Sequence, residues 1–120
     1  MFEENEVREA TLEYFGGDEL ATNVFMTKYC LRDKKGNFIE KTPDDMHRRL
    51  AKEFARMEDK FITRKSNHLT EDAIYSFLQN FKYIVPQGSP MMGIGNNHVN
   101  VSLSNCVVVD NPADSVSSIM

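Results

Sequence analysis

The chain has 120 residues, 41% hydrophobic and 27% charged, with a net charge of -4, a composition that supports one buried core and lacks the apolar depletion of disordered chains. The acidic balance offers no basic field to draw nucleic acid or an anionic membrane, so neither is expected as a partner. No stretch approaches the roughly 20 apolar residues that cross a bilayer, and the start MFEENE is unlike a secretory signal, so the expected location is cytoplasmic.

In chain order, a first short helix is expected over residues 6–15, stopping at Gly16-Gly17, where backbone freedom ends helices cheaply. Asp18 is placed to cap a second helix whose apolar face comprises Leu20, Val24, Phe25 and Leu31. Cys30, near the end of that helix, reads as a core cysteine without chemistry. The run Asp33-Lys34-Lys35-Gly36-Asn37 has turn composition. Thr42-Pro43-Asp44-Asp45 is the clearest helix start, with a capping hydroxyl, a proline in the first turn and acids beside the positive end of the dipole.

From there Met46, Leu50, Phe54, Met57 and Phe61 recur every three or four residues, while Arg48, Arg49, Lys52, Glu53 and Arg56 fall largely on other faces. Core packing is the ordinary use of such a stripe, and a partner groove is the alternative. Thr70 caps a further helix with Ile74, Phe77, Leu78 and Phe81 on its apolar face.

After Pro86 the periodicity changes, dividing the chain into a helical part, residues 1–84, and a Gly/Asn/Val/Ser-rich part, residues 85–120. Residues 86–96 read as a loop in which glycines at 88, 93 and 95 permit backbone amides to converge on an anion. The loop is neither a Walker A motif nor a dinucleotide fingerprint, because no Gly-Lys-Ser/Thr follows it and it leads into a strand. From 99 to 109 the pattern has period two: Val99, Val101, Leu103, Asn105, Val107 and Val109 on one face, and Asn100, Ser102, Ser104, Cys106 and Val108 on the other. Asp110-Asn111-Pro112 ends that strand, and Asp114 has the character of a helix cap.

Cys30 and Cys106 match no metal-ligand spacing, and His47, His68 and His98 are not accompanied by further ligands at suitable spacing, so no metal site is expected. Cys106 shares its face with Ser102 and Ser104, which would set a thiol among hydroxyl groups.

The segments TLEYFGGDELATNVFMTKYCLRD, KTPDDMHRRLAKEFARME, FKYIVPQGSPMMGIGN and VSLSNCVVV resemble, in order and content, the N-terminal part of ribonucleotide reductase large subunits, including the adenosylcobalamin-dependent branch. The resemblance implies an α+β fragment: a mainly helical region, then a substrate loop and the first strand of a ten-stranded α/β barrel. It implies that Cys106 is one of two cysteines that supply reducing equivalents, and that Gly88 and Ser89 contact the substrate phosphates. Ser104 and Asn105 would lie near the ribose, and Asp114 near a specificity effector.

The remaining catalytic residues of the family lie further along its barrel, so the chain is expected to be inactive alone and to bind no cofactor by itself. The parent enzyme would use adenosylcobalamin or a radical-generating metal subunit. The implied partners are a ribonucleotide, the rest of the barrel, a second copy in a homodimer and the radical-generating subunit. A noncatalytic nucleotide-binding remnant, or a helical interaction module, is the rival reading.

Overall fold

The structure is a computed structural model that describes residues 1–61 and 69–103. Among the described residues there are five α-helices and no extended strand. Helix α1 spans Glu4–Tyr14, α2 Glu19–Val24, α3 Pro43–Phe61, α4 Glu71–Leu78 and α5 Gly88–Gly93.

Helix α1 buries Val7 and Thr11, one turn apart, and the Thr11 hydroxyl donates to the Lys41 carbonyl at 2.9 Å. It ends as expected at the glycine pair, where Gly16 and Gly17 take φ of 66° and 93°, values that L side chains adopt only with strain. Asp18 then caps α2, accepting from the Ala21 amide at 3.0 Å.

Helix α2 runs only six residues before widening into a π-helical turn, Phe25–Tyr29. Within α2 the inward residue is Thr22. Phe25 and Met26 are both buried, whereas Leu20, assigned to the apolar face from its spacing, is 75% exposed. Cys30 follows in extended conformation, buried, and not inside the helix.

Residues 30–40 form a short turn-back. The Leu31 carbonyl accepts from Ile39 N at 2.9 Å, and the Phe38 carbonyl accepts from Phe2 N at 2.9 Å. The Asp33 carboxylate organises the turn by accepting from the amides of Lys35 and Asn37 at 2.8 and 2.9 Å. The bond from the Asn37 side chain, followed by these two amide bonds, holds its carboxyl below the usual carboxylate range.

Helix α3 is the central element, with Met46, His47, Leu50 and Ala51 fully buried on one stripe. Its start is fixed by Asp45, whose carboxylate accepts from Lys41 N at 2.9 Å. Helix α4 packs along it, capped by Thr70 through a 3.2 Å bond from Ala73 N. The two helices are tied by the Tyr75 hydroxyl, which donates to Asp44, and by Arg48, which bonds Asp44 at 3.0 Å and lies 4.2 Å above the Tyr75 ring.

One side of α3 near its start is anomalous. His47 is fully buried, and neither ring nitrogen has a hydrogen-bond partner. Phe81 covers it edge-on at 4.6 Å between ring centroids. That position is reached through a turn in which Asn80 and Phe81 both adopt φ of 55°. Burial pushes the His47 pKa below its ordinary 6.5, opposed by Asp44.

Because the folded pKa is depressed, the unfolded chain takes the proton first as pH falls. Stability tied to His47 is therefore full above pH 6.5 and is lost as pH falls below that value. Urea titrations from pH 7 to about pH 5 should show the wild type losing more stability than His47→Leu. Equal losses in the two chains would remove His47 as the cause.

Candidate functional site

The expected anion loop, residues 86–96, contains helix α5, which replaces the loop assigned to this stretch from its glycines and prolines. The glycines are accounted for by packing at three different points. A Cβ at Gly88 would stand 3.0 Å from the Tyr29 ring and hydroxyl, and one at Gly93 would stand 2.2 Å from Val101 Cγ2. Gly95 combines φ of 75° with Arg49 Cγ 2.9 Å from a hypothetical Cβ. A side chain at any of them would push against a neighbour, so the sequence keeps them bare.

Two anchors hold α5. Its N-terminal end rests on Tyr29 of the π-helical turn. At its C-terminal end Arg49 donates to the Met91 carbonyl at 2.7 Å and to the Ile94 carbonyl, putting a cation where helix carbonyls lack partners. Arg49 is itself buried in an ion pair with Glu40, Nε to Oε2 at 2.8 Å, both side chains less than one-tenth exposed. Glu40 also accepts from Leu31 N at 3.0 Å, and its carbonyl accepts from the Cys30 thiol at 3.2 Å.

The N-terminal end of α5 borders an open cleft of about 550 Å³ lined by Thr27, Lys28, Tyr29, Gly88, Ser89 and Met92. Ser89, half-buried, and the exposed Lys28 share this cleft. A hydroxyl and an ammonium facing one cavity suit an oxyanion such as phosphate, which accepts from both. Of the sequence-assigned site residues, Gly88 and Ser89 are thus brought together in this cleft. Ser104, Asn105, Cys106 and Asp114 lie outside the described residues, as does most of the expected strand, residues 99–109. Its described part, residues 99–103, belongs to no strand.

Lys28, Tyr29, Glu40 and Arg49 were not legible as site-building residues. Lys28 reaches the cleft through the π-helical turn, a register the helical period does not announce. Arg49 sits among Arg48, Lys52, Glu53 and Arg56 in a charged run, and nothing local marks it as the buried member.

Cys30 is chemically quiet. Burial, reinforced by the charge of Glu40, pushes its thiol up to about 12, and only the thiolate is nucleophilic. The His47 nitrogens have no partner, so no Cys–His pair is assembled from these two residues. Among the described residues no group of three or more His, Cys, Asp or Glu side chains is arranged to hold a metal, and no helix is long and apolar enough to cross a membrane. With iodoacetamide at pH 8, Cys30 should stay unmodified in the folded chain and react after denaturation, read by peptide mass. Rapid native labelling would contradict its burial.

A family model described as "Ribonucleotide reductase, all-alpha domain" matches residues 15–98, a span that includes α2 through α5 and the Ser89 cleft. No curated protein and no solved structure matches the chain.

Proposed function

The chain belongs to the ribonucleotide reductase all-alpha domain family, and from that premise we propose that it is the N-terminal part of a reductase catalytic subunit. Completed by the rest of the barrel, it contributes to reducing ribonucleotides to deoxyribonucleotides. The observation that carries the reading is the family match over residues 15–98, joined by a mainly helical architecture among the described residues.

In this reading Ser89 and the neighbouring Gly88 contact the substrate phosphates, and Lys28 adds a cation to the same cleft. Support comes from the shared cavity at the N-terminal end of α5, whose position is set by Arg49. Cys106 supplies one of two thiols. Converting a ribonucleotide to a deoxyribonucleotide releases the 2′ oxygen as water, and oxidation of two thiols to one disulfide provides the two electrons and two protons. Ser104 and Asn105 border the ribose in this assignment, and Asp114 lies near an effector.

The donor groups among the described residues do not fit a metal centre. In this reading radical generation belongs to adenosylcobalamin or to a separate metal-bearing subunit, as the family resemblance implies, held by other parts of the assembled enzyme. The partners proposed are the ribonucleotide, the remaining barrel, a second catalytic chain and, in the metal-dependent case, that subunit.

Mixing the chain with a matching C-terminal portion of a reductase should restore nucleotide reduction. Activity should vanish with Cys106→Ser and persist with Cys30→Ser. Ser89→Ala should weaken nucleotide binding by roughly tenfold, the worth of a hydrogen bond to a charged group. Reduction by the Cys106→Ser mixture at the wild-type rate would refute the thiol assignment, and nucleotide binding without reduction would favour a noncatalytic remnant.

A further inference from the structure

His47 takes no part in the Ser89 cleft, yet it sits at the centre of the core. Its side chain is fully buried, and both ring nitrogens lack a hydrogen-bond partner. A neutral imidazole there leaves one donor and one acceptor unmet. A protonated ring would leave two donors and a buried charge, which is far costlier. The site therefore holds this ring only while it is neutral and covered.

The cover is Phe81, edge-on to the imidazole with ring centroids 4.6 Å apart. It is carried by the 3-10 turn Gln79–Phe81, which follows α4 directly. Asn80 and Phe81 both hold φ of 55° there. Asparagine enters the left-handed region readily, whereas phenylalanine does so against steric resistance. Strain of this kind persists only where surrounding contacts enforce it. Those contacts are the packing of Phe81 on His47 and its stacking on Phe15, 6.2 Å between centroids.

The ring also has somewhere to go. A cavity of about 290 Å³ lies beside Phe81, with Phe15, Met46 and Met91 among its lining residues. The bonds that close the chain behind the turn run from Tyr83 N and Ile84 N to the Phe77 carbonyl, at 3.3 and 3.0 Å, and do not involve Asn80 or Phe81. The turn is thus free to shift without releasing the end of α4.

The ionisable groups of this cluster are few. Asp44, on the same helix, is the charge that acts on His47, and it is bonded by Tyr75 of α4 and by Arg48. Tyr14 comes from α1, Lys82 is turned onto the Tyr83 ring, and residues 79–81 carry no charge. Both tyrosines are raised above 10.0 and Asp44 is lowered below 3.8, so none of the three changes state in the range where His47 titrates.

We propose that Gln79–Phe81 is a proton-released latch: closed over a neutral His47, it draws Phe81 off the imidazole when the ring gains a proton, and water then reaches the charged nitrogens. Tyr29, against which α5 rests, and Met91 of α5 line the same cavity, so release of the latch reaches the packing behind the Ser89 cleft. The inference rests on the surroundings of His47 and is independent of the reductase reading.

The test follows the full 120-residue chain by nuclear magnetic resonance from about pH 7.5 to about pH 5. Overhauser contacts between the His47 and Phe81 rings are expected at the upper end. They should disappear as His47 titrates, while the Leu50 methyl resonances keep their native positions. In His47→Leu the Phe81 ring resonances should not move with pH. In Phe81→Ala the His47 pKa should rise toward 6.5, because its cover is gone. Ring contacts that persist through the titration, or that vanish only together with the native Leu50 resonances, overturn the proposal. So does an equal Phe81 response in His47→Leu, or a His47 pKa unmoved by Phe81→Ala.

Discussion

Arg49 and Glu40 form an ion pair with both side chains less than one-tenth exposed, and helix α5, one wall of the candidate cleft, and Cys30-Leu31, which follow its other wall, are each bonded to one or the other. Withdrawing two such charges from water costs several kcal/mol per ion and is repaid only when the remaining hydrogen-bonding capacity is also filled. Here it is. The guanidinium bonds the carboxylate and the Met91 and Ile94 carbonyls, while the carboxylate also receives the Leu31 amide. One pair thereby joins α3 to the turn-back of residues 30–40 and to the end of α5, three regions with little regular structure in common. Removing either partner would leave the other charged and stranded.

That arrangement explains why a six-residue helix, too short to persist alone, is nonetheless placed with its first turn over the cleft. Tyr29 limits how far Gly88 can move toward the π-helical turn, and Arg49 fixes the far end. Ser89 is therefore positioned by contacts on either side of it. The Gly88, Gly93 and Gly95 positions serve this packing, and any ligand that enters the cleft meets a backbone already held in place.

The legible parts of the sequence were the ones decided locally. Asp18 and Thr70 cap their helices because a short polar side chain needs only the next turn to bond. The Asp33 turn likewise closes on its own residues. The stripe of α3 was legible as a helix face, but not where burial stops along it, since Leu50 is covered and Phe61 is not. Leu20 has helical spacing with Val24 but is 75% exposed, because α2 turns Thr22 inward, beside Phe25 and Met26, and tertiary packing chose that face over the more apolar one. Helix α5 was hidden because Gly88, Pro90 and Gly93 favour a loop when taken alone. Its stability comes from Arg49, some forty positions earlier, a distance no local pattern spans. For the cleft, Ser89 and Gly88 were found through family resemblance, whereas Lys28 became visible only in three dimensions.

The most direct measurement is a double-mutant cycle on the central pair, with Arg49→Met, Glu40→Gln and the double variant compared by urea unfolding. The account predicts that Arg49→Met, which leaves Glu40 buried without its partner, costs about 3–5 kcal/mol. It also predicts that the double variant loses clearly less than the sum of the two single losses, the signature of a coupled pair. Single losses within about 0.5 kcal/mol of wild type, adding without coupling, would contradict the claim that this buried pair holds the site together.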